Sequence, residues 1–257
     1  MADNGANKNG RGGVSGMPGQ EPDPRPLAKR FYKDVATELL AEGHGVVLDG
    51  RAVRTPGKRR LVLPTAALAA VVAAEWQAQV EVIDPAEMPL TKIANTAIDG
   101  VADKLADVRS EIVGYAGNDL ICYRAEHPQL LVERQAQSWD PVLAWAADEC
   151  GIALKVATGI MPVAQSQEAL GAADDAWRDC DAMALAAGHV LVSLSGSNLL
   201  ALAVLRGHLQ AEAAWQAAHI DEDWQISQWG EDGEAQERRE RRRREFLAAA
   251  EFLRLMR

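Results

Sequence analysis

The stretch 46-VVLDGRAVRTPGKRRLVLP-64 decides how the start of the chain is expected to fold. Asp49-Gly50 separates two runs that carry apolar residues, and an Asp-Gly pair in this position is a strong signal for a hairpin with a type I′ turn. Pro56-Gly57 supplies a second turn before residues 61–63. Together with an alternating run at residues 34–40, the stretch predicts a meander of four short antiparallel strands.

The residues that follow predict two helices packed on these strands. Thr65 is a suitable N-cap for a helix to about residue 79, and residues 90–98 repeat apolar side chains at helical spacing. Glu75 falls within the apolar stripe of the first helix, where we expect a carboxylate at the edge of the core. Short strands beside packed helices predict a small α+β domain.

The remainder of the chain predicts helices almost without exception. Residues 1–26 are rich in Gly, Asn and Pro and predict a disordered tail, because they have little to bury. We therefore divide the chain into this tail, an amino-terminal α+β domain at residues 27–98 and a larger all-helical domain at residues 99–257. Within the helical domain, Asp140-Pro141 either kinks a helix or, as we expect, starts a new one that ends at Gly151. Residues 195–197 (Ser-Gly-Ser) are expected to separate two others.

Bulk composition narrows the class of protein. The formal net charge of −10 disfavours non-specific binding to nucleic acid or to an anionic membrane. The three cysteines offer no metal-ligand pair and no disulfide framework, and no apolar run is long enough to span a bilayer. These features predict a cytoplasmic protein of bacterial type that binds no nucleic acid and does not insert into a membrane.

Motifs that would support catalysis are missing from the sequence. The five histidines share no ligand spacing, and Gly57-Lys58 lacks the upstream glycine and the following Ser or Thr of a P-loop. Cys122 lies in an apolar run, which favours a core residue over a reactive thiol. The sequence therefore predicts neither an enzyme nor a bound cofactor or metal.

Two groups of basic residues each admit two interpretations. Five cations lie in the strand region with no acid among residues 50–63, and they form either solvated turns or a basic docking patch. The Arg-rich end of the chain predicts either a solvated helix with internal ion pairs or an RNA contact. The first group is Arg51, Arg54, Lys58, Arg59 and Arg60, and the second is Arg238, Arg239 and Arg241 to Arg244.

Acidic and indole side chains are mixed between residues 221 and 234. The segment is either a capped loop with its tryptophans in the core or a binding lip, since Trp anchors many protein interfaces. Both interpretations stay open on the residues alone. The side chains concerned are Asp221, Glu222, Asp223, Trp224, Trp229, Glu231, Asp232 and Glu234.

Several strings resemble, in order and spacing, the ATP synthase assembly chaperones of the "ATP twelve" family. The opening stretch and its continuation to residue 99 are similar to the amino-terminal domain of that family. Further similar strings are NDLICYR at residues 118–124, QSWDP at 137–141 and QWG at 228–230. The similarity runs from about Phe31 to Arg238.

The resemblance implies a non-enzymatic chaperone that binds the free alpha subunit of the F-type ATP synthase head until the beta subunit replaces it. It also implies an α+β domain followed by a helical domain, in agreement with the patterns above. An acidic residue just after the Trp-Gly pair matters in the family, and Glu234 matches it. We expect a monomer whose partner-binding residues are Glu234, Trp229, Glu231 and Asp232, with a second patch at Arg51 and Arg54. The alternatives are an RNA-binding adaptor that uses the Arg-rich helix and an unrecognised small-molecule enzyme.

Overall fold

An antiparallel sheet of short strands near the start of the chain is followed by a larger helical part, which confirms the predicted α+β class. The computed structural model describes residues 26–159, 161–230 and 232–257, so the predicted disordered tail lies outside the described residues except for Pro26. The strands are β1 (Ala28–Lys29), β2 (Val35–Leu40), β3 (Gly43–Leu48), β4 (Arg51–Ala52), β5 (Val62–Leu63), β6 (Val82–Ile83), β7 (Tyr123–Arg124) and β8 (Ala157–Thr158).

The predicted meander is an antiparallel sheet with β3 in its centre. Strand β2 pairs with β3 on one side, while β4 and β5 pair with it on the other. Asp49 and Gly50 have φ angles of 49° and 75°. Positive values at both positions are what a type I′ turn requires, so the Asp-Gly pair does form the predicted hairpin. The Asp49 carboxylate also accepts the N–H of Asp34 at 2.8 Å, which ties this turn to the start of β2.

Both predicted helices form. Helix α1 spans Ala66–Ala78, and the hydroxyl of Thr65 accepts the N–H of Leu68 at 3.1 Å as its N-cap. Helix α2 spans Pro89–Thr96 and continues into a π-helical turn at Ala97–Val101. Helix α1 packs against the sheet, while α2 packs against α1. The amino-terminal residues therefore form the short-stranded α+β unit that the sequence indicates.

Glu75 joins α1 to α2. Its carboxylate accepts the N–H groups of Leu90 and Thr91, each at 2.8 Å, and the hydroxyl of Thr91 at 2.7 Å. The first N–H groups of a helix have no carbonyl partner within the helix, so Glu75 caps α2 from a neighbouring element. Burial raises the pKa of this carboxyl group, although the hydrogen bonds oppose the shift. The carboxylate that we expected at the edge of the core thus connects α1 to the start of α2.

The helical part consists of eight further helices among the described residues. Most are amphipathic and share one continuous apolar core with the sheet, as the buried cluster runs from Tyr32 to Leu255. The helices are α3 (Leu105–Gly114), α4 (Gln129–Cys150), α5 (Gln167–Trp177), α6 (Ala182–Ser195), α7 (Asn198–Arg206), α8 (Ala211–Ala218), α9 (Ile220–Trp229) and α10 (Gly233–Leu255).

The expectation that Asp140-Pro141 starts a new helix is wrong, because Pro141 lies inside α4. A proline removes one helical hydrogen bond and strains the preceding turn. The residues on both sides of it, Trp139 and Val142, are 1% and 2% exposed. Both side chains belong to the same core, and the helix continues through the proline. Helix α4 does end as the sequence indicates, with Gly151 in the left-handed region at φ 69°.

Residues 195–197 separate α6 from α7, as predicted. Gly196 takes a left-handed conformation at φ 69°, and the hydroxyl of Ser197 accepts the N–H of Leu200 at 3.0 Å to start α7. Asp119 approaches this break from a distant part of the chain and accepts the N–H of Leu199 at 3.0 Å. The side chain is fully buried, and burial raises its pKa to about 6.

Asp99 joins the meander to the helical part. Its two carboxylate oxygens accept the hydroxyl of Thr55 at 2.7 Å and the N–H of Gly57 at 2.6 Å. A side chain at Gly57 would collide with this carboxylate, since an added Cβ would lie 2.6 Å from its nearest oxygen. The boundary between residues 98 and 99 stays a prediction, and the core continues across it.

Candidate partner-binding site

The corner between α9 and α10 presents an exposed indole. Trp229, the last residue of α9, is 80% exposed. Gly230 follows it at φ 83°, a value that residues with a side chain rarely adopt, and this turns the chain away from the helix. Asp232 then caps α10 by accepting the N–H of Glu234 at 3.4 Å. The corner therefore projects an aromatic ring beside two carboxylates.

The two tryptophans of this segment have different environments. Trp224 is half-buried, and the guanidinium of Arg134 on α4 lies 5.2 Å from its ring centroid. Trp229 lies in solvent. The interpretation that both rings lie in the core is therefore wrong for Trp229. Its exposure is compatible with the interpretation of this segment as a binding lip.

The acidic run at the start of α9 is structural rather than free for a partner. Asp221 accepts the side-chain amide of Gln135 on α4 at 2.6 Å. Asp223 forms an ion pair with Arg239 on α10, and Glu222 lies 3.9 Å from the same guanidinium. Negative charge in the first helical turn also suits the helix dipole. These three acids orient α9 against its neighbours.

Two expected site residues remain at the corner, and one is outside the described chain. The side chain of Glu234 is 84% exposed and lies 3.2 Å from Arg238 one turn later. Asp232 is exposed as well. Glu231 lies outside the described residues. Trp229 at the end of α9 and Asp232 and Glu234 at the start of α10 are thus all exposed.

The basic patch of the meander is partly neutralised by acids from other elements. Arg59 pairs with Asp103 at 2.6 Å, and Arg60 pairs with Glu38 at 2.7 Å. Arg54 donates to the carbonyl of Lys58 at 2.9 Å, while Arg51 is exposed. Of the five cations, Arg51, Arg54 and Lys58 form no ion pair with any residue within the described ranges. They lie on the meander, a different element from the α9–α10 corner.

The Arg-rich helix forms predicted pairs within the helix, Arg238 with Glu234 and Arg243 with Glu240, and further pairs with other elements. Arg243 binds Glu212 on α8 at 2.8 Å, and Arg244 lies 3.6 Å from Glu87 ahead of α2. Arg242 donates to the carbonyl of Leu194 on α6 at 3.2 Å. These side chains are engaged with the protein itself, which disfavours the RNA-binding interpretation.

A groove of about 180 Å³ lies between α2, the π-helical turn, α3, α6 and α10. Its floor is apolar, and charged side chains surround its mouth. Two pairs cross this rim, with His189 3.3 Å from Glu111 and Lys92 3.6 Å from Glu245. The groove was not predicted, because its walls come from five segments that are distant in sequence.

Neither Cys122 nor a cluster of metal ligands offers catalytic chemistry in the described part of the chain. Cys122 is fully buried, and burial raises the pKa of its thiol to about 12, so it is a core residue as expected. Among the described residues, no cluster of three or more His, Cys, Asp or Glu side chains could hold a metal ion. Within the same residues, no helix has the length and apolar character to cross a membrane.

Comparison with known proteins gives consistent matches. The family described as ATP12 chaperone protein matches residues 29–147. The mitochondrial protein atp12 of Schizosaccharomyces pombe is 24% identical over 221 residues, which are 81% of this chain and 76% of that protein.

Solved structures extend the match to nearly the whole described chain. The crystal structure of Atp12 from Paracoccus denitrificans is 42% identical with a TM-score of 0.84, over 90% of this chain and 99% of that one. A solved structure from Agrobacterium tumefaciens is 44% identical with a TM-score of 0.86, over 92% of each chain. The fold and the resemblance seen in the sequence are both confirmed by these matches.

Proposed function

The chain belongs to the ATP12 chaperone family, and we propose that it binds the free alpha subunit of the F-type ATP synthase head until the beta subunit replaces it. The family assignment makes it an assembly chaperone of the ATP synthase type, and its relatives are named chaperones, which indicates a non-enzymatic role. The alpha subunit as client, a monomeric state, the absence of bound nucleic acid and a cytoplasmic location are parts of this proposal.

The proposal rests mainly on the exposed ring of Trp229 at the corner between α9 and α10. Tryptophan side chains supply much of the binding energy at protein interfaces, because a large apolar ring is removed from water there. An 80% exposed indole has no stabilising role in the isolated chain that would account for it. Glu234 and Asp232 beside it can pair with cations or N–H groups of the client.

A subunit that is made for a hetero-oligomer exposes an apolar face until its partner arrives. Such interfaces bury on the order of 1,000 Å² or more per subunit, and faces of that size aggregate when they are left open. A protein that covers the face must release it later, so a small anchored contact fits the task better than an extensive one. We propose Trp229, Glu231, Asp232 and Glu234 as that contact, with Arg51 and Arg54 as a second, electrostatic one.

Purified protein used as bait in a cell lysate should recover the alpha subunit of the ATP synthase. Trp229→Ala should lower the recovery about tenfold or more, as for an interface anchor. Phe31→Ala is the matched control, because Phe31 is a 73% exposed aromatic residue on another element, and it should leave the recovery unchanged. No recovery by the unaltered protein, with aggregation of isolated alpha subunit unaffected, would overturn the proposal.

A further inference from the structure

Helix α9 and the first half of α10 differ from the rest of the fold in how little of them is buried. No residue of α9 is buried, and none of residues 233–245 of α10 is buried either. The first buried residue of α10 is Phe246, which is fully enclosed, and five further residues after it are buried. We call α9 together with residues 233–245 the arm, and Phe246–Leu255 the anchored half of α10.

The arm is attached to the body of the protein mainly through charged and polar pairs. Arg243 reaches Glu212 on α8, Arg244 reaches Glu87, and Glu245 reaches Lys92 on α2. Asp221 is bonded to Gln135 on α4, where Arg134 also covers the ring of Trp224. Arg239 bonds Asp223 and lies near Glu222, which fastens the two helices of the arm to each other.

Attachment of this kind is weak and sensitive to salt. Pairs between partly exposed charges contribute little to stability, because water already solvates both groups and dissolved ions screen their attraction. The side chains of Arg243 and Glu212 are 35% and 46% exposed, and those of Arg244 and Glu87 are 54% and 59% exposed. Segments with few buried apolar contacts open more often than the core of the same protein.

We propose that the arm is a separately opening unit, held against the body by ion pairs and released as a whole while the core stays folded. Phe246 marks the limit of the opening, since every turn of α10 after it contains buried residues. Opening would remove the α9 wall, formed by Ile220 and Asp223, from the shallow basin of about 410 Å³ between α4, α8 and α9. It also frees Trp229 to move, so that the arm can close over a client; this last role rests on the proposed function.

Hydrogen exchange of the intact chain, read by mass spectrometry, tests the opening without any client. Raising the salt from about 0.1 M to 1 M shortens the Debye length from about 10 Å to about 3 Å. Amides of residues 220–245 should then exchange several-fold faster, while those of α6 and α7 keep their rates. Equal protection of the arm and of α6 at both salt concentrations would overturn the proposal.

Charge exchange at one pair gives a second test. Arg243→Glu should accelerate exchange throughout residues 220–245, and adding Glu212→Arg should restore the slower rate by re-forming the pair in reverse. Arg254→Glu is the matched control, because it breaks the pair with Glu251 on the anchored half of the same helix. It should leave the arm unchanged.

These experiments test the opening of the arm independently of the proposed chaperone function. Faster exchange confined to the immediate neighbours of Arg243, or an arm that responds equally to Arg254→Glu, would refute a cooperative unit. If Arg243→Glu prevented folding, the salt experiment on the unaltered chain would still decide. Failure to capture the alpha subunit, with the arm opening as expected, would count against the proposed function alone.

Discussion

The elements at the two ends of the molecule are held in place by opposite means. At the amino-terminal end, the carboxylates of Glu75 and Asp99 reach across elements and accept two or three hydrogen bonds each. At the carboxyl-terminal end, the arm is joined by exposed ion pairs such as Arg244–Glu87. Removing a side chain that accepts several hydrogen bonds leaves the donor groups unpaired, which is costly. When an exposed ion pair is removed, water solvates the remaining charge instead. We infer that the hydrogen-bonded elements of the amino-terminal end contribute more to stability, and that the arm opens more readily.

The largest loss of stability is expected for a fully buried side chain that also connects two helices. Trp139 is 1% exposed, and its indole N–H donates to the carbonyl of Ala217 at 2.8 Å, which connects α4 to α8. Trp139→Ala should lower the free energy of unfolding by about 3 to 5 kcal/mol, as for other enclosed aromatic residues. Urea denaturation measures it.

The exposed Trp229 is the matched control for this change. Trp229→Ala should alter the free energy of unfolding by less than about 0.5 kcal/mol, because the ring is in solvent in the folded chain as well. If the two substitutions lowered the free energy of unfolding by similar amounts, Trp229 would have to make a stabilising contact. The contrast between the body and the arm would then not hold.

The second effect is a dependence on pH at the joint between α6 and α7. The folded pKa of Asp119, about 6, lies above its ordinary value of 3.8. Between these values the folded state binds more protons than the unfolded one, so its contribution to stability is complete below about pH 4 and is lost as the pH rises to about 6. A shift of this size corresponds to about 3 kcal/mol as an upper bound.

A variant isolates this contribution from those of the other carboxylates. Asp119→Asn cannot ionise, so the difference in free energy of unfolding between the original chain and the variant should change between pH 4 and 6 and be constant above it. Denaturation curves recorded across that range measure the difference. A difference independent of pH would mean that water reaches this carboxyl group.

Local patterns predicted much of the fold. The Asp49-Gly50 hairpin, the Thr65 cap and the break at residues 195–197 depend on neighbours within a few positions, and all three are confirmed. The expectation at Pro141 was wrong, because burial of the residues beside it on a distant core outweighs the local preference of proline. Tertiary packing of this kind leaves no trace in a short window of sequence.

The site was predictable to a smaller extent. The mixture of acid and indole near residue 229 indicated either a core or a lip, and only the structure distinguishes Trp224 from Trp229. The role of Glu75 was missed, since its partners at Leu90 and Thr91 lie a helix and a crossing away. A glutamate inside an apolar stripe, opposite the start of another helix, is the signal that could have indicated it.

The third prediction tests the joint between α1 and α2. Glu75→Ala leaves two N–H groups at the start of α2 without their acceptor, and should cost about 2 kcal/mol in free energy of unfolding. Glu75→Gln keeps one acceptor oxygen and should cost less. Glu81→Ala, on the exposed connection before β6, serves as the control and should be nearly neutral. A neutral Glu75→Ala would remove the difference between the two ends of the molecule.

The smallest change in the free energy of unfolding is expected for a substitution in the arm, because the arm is attached by exposed ion pairs. Arg244→Ala removes the pair with Glu87, whose side chains are more than half exposed, and should change the free energy of unfolding by less than about 1 kcal/mol. Global unfolding reports mainly the core, so urea curves should barely move, while hydrogen exchange of residues 233–245 becomes faster. A large shift of the urea curve would make the arm an integral part of the core. An unchanged exchange rate would mean that this pair does not hold the arm, and that the contacts with Glu212, Lys92 and Gln135 bear the attachment.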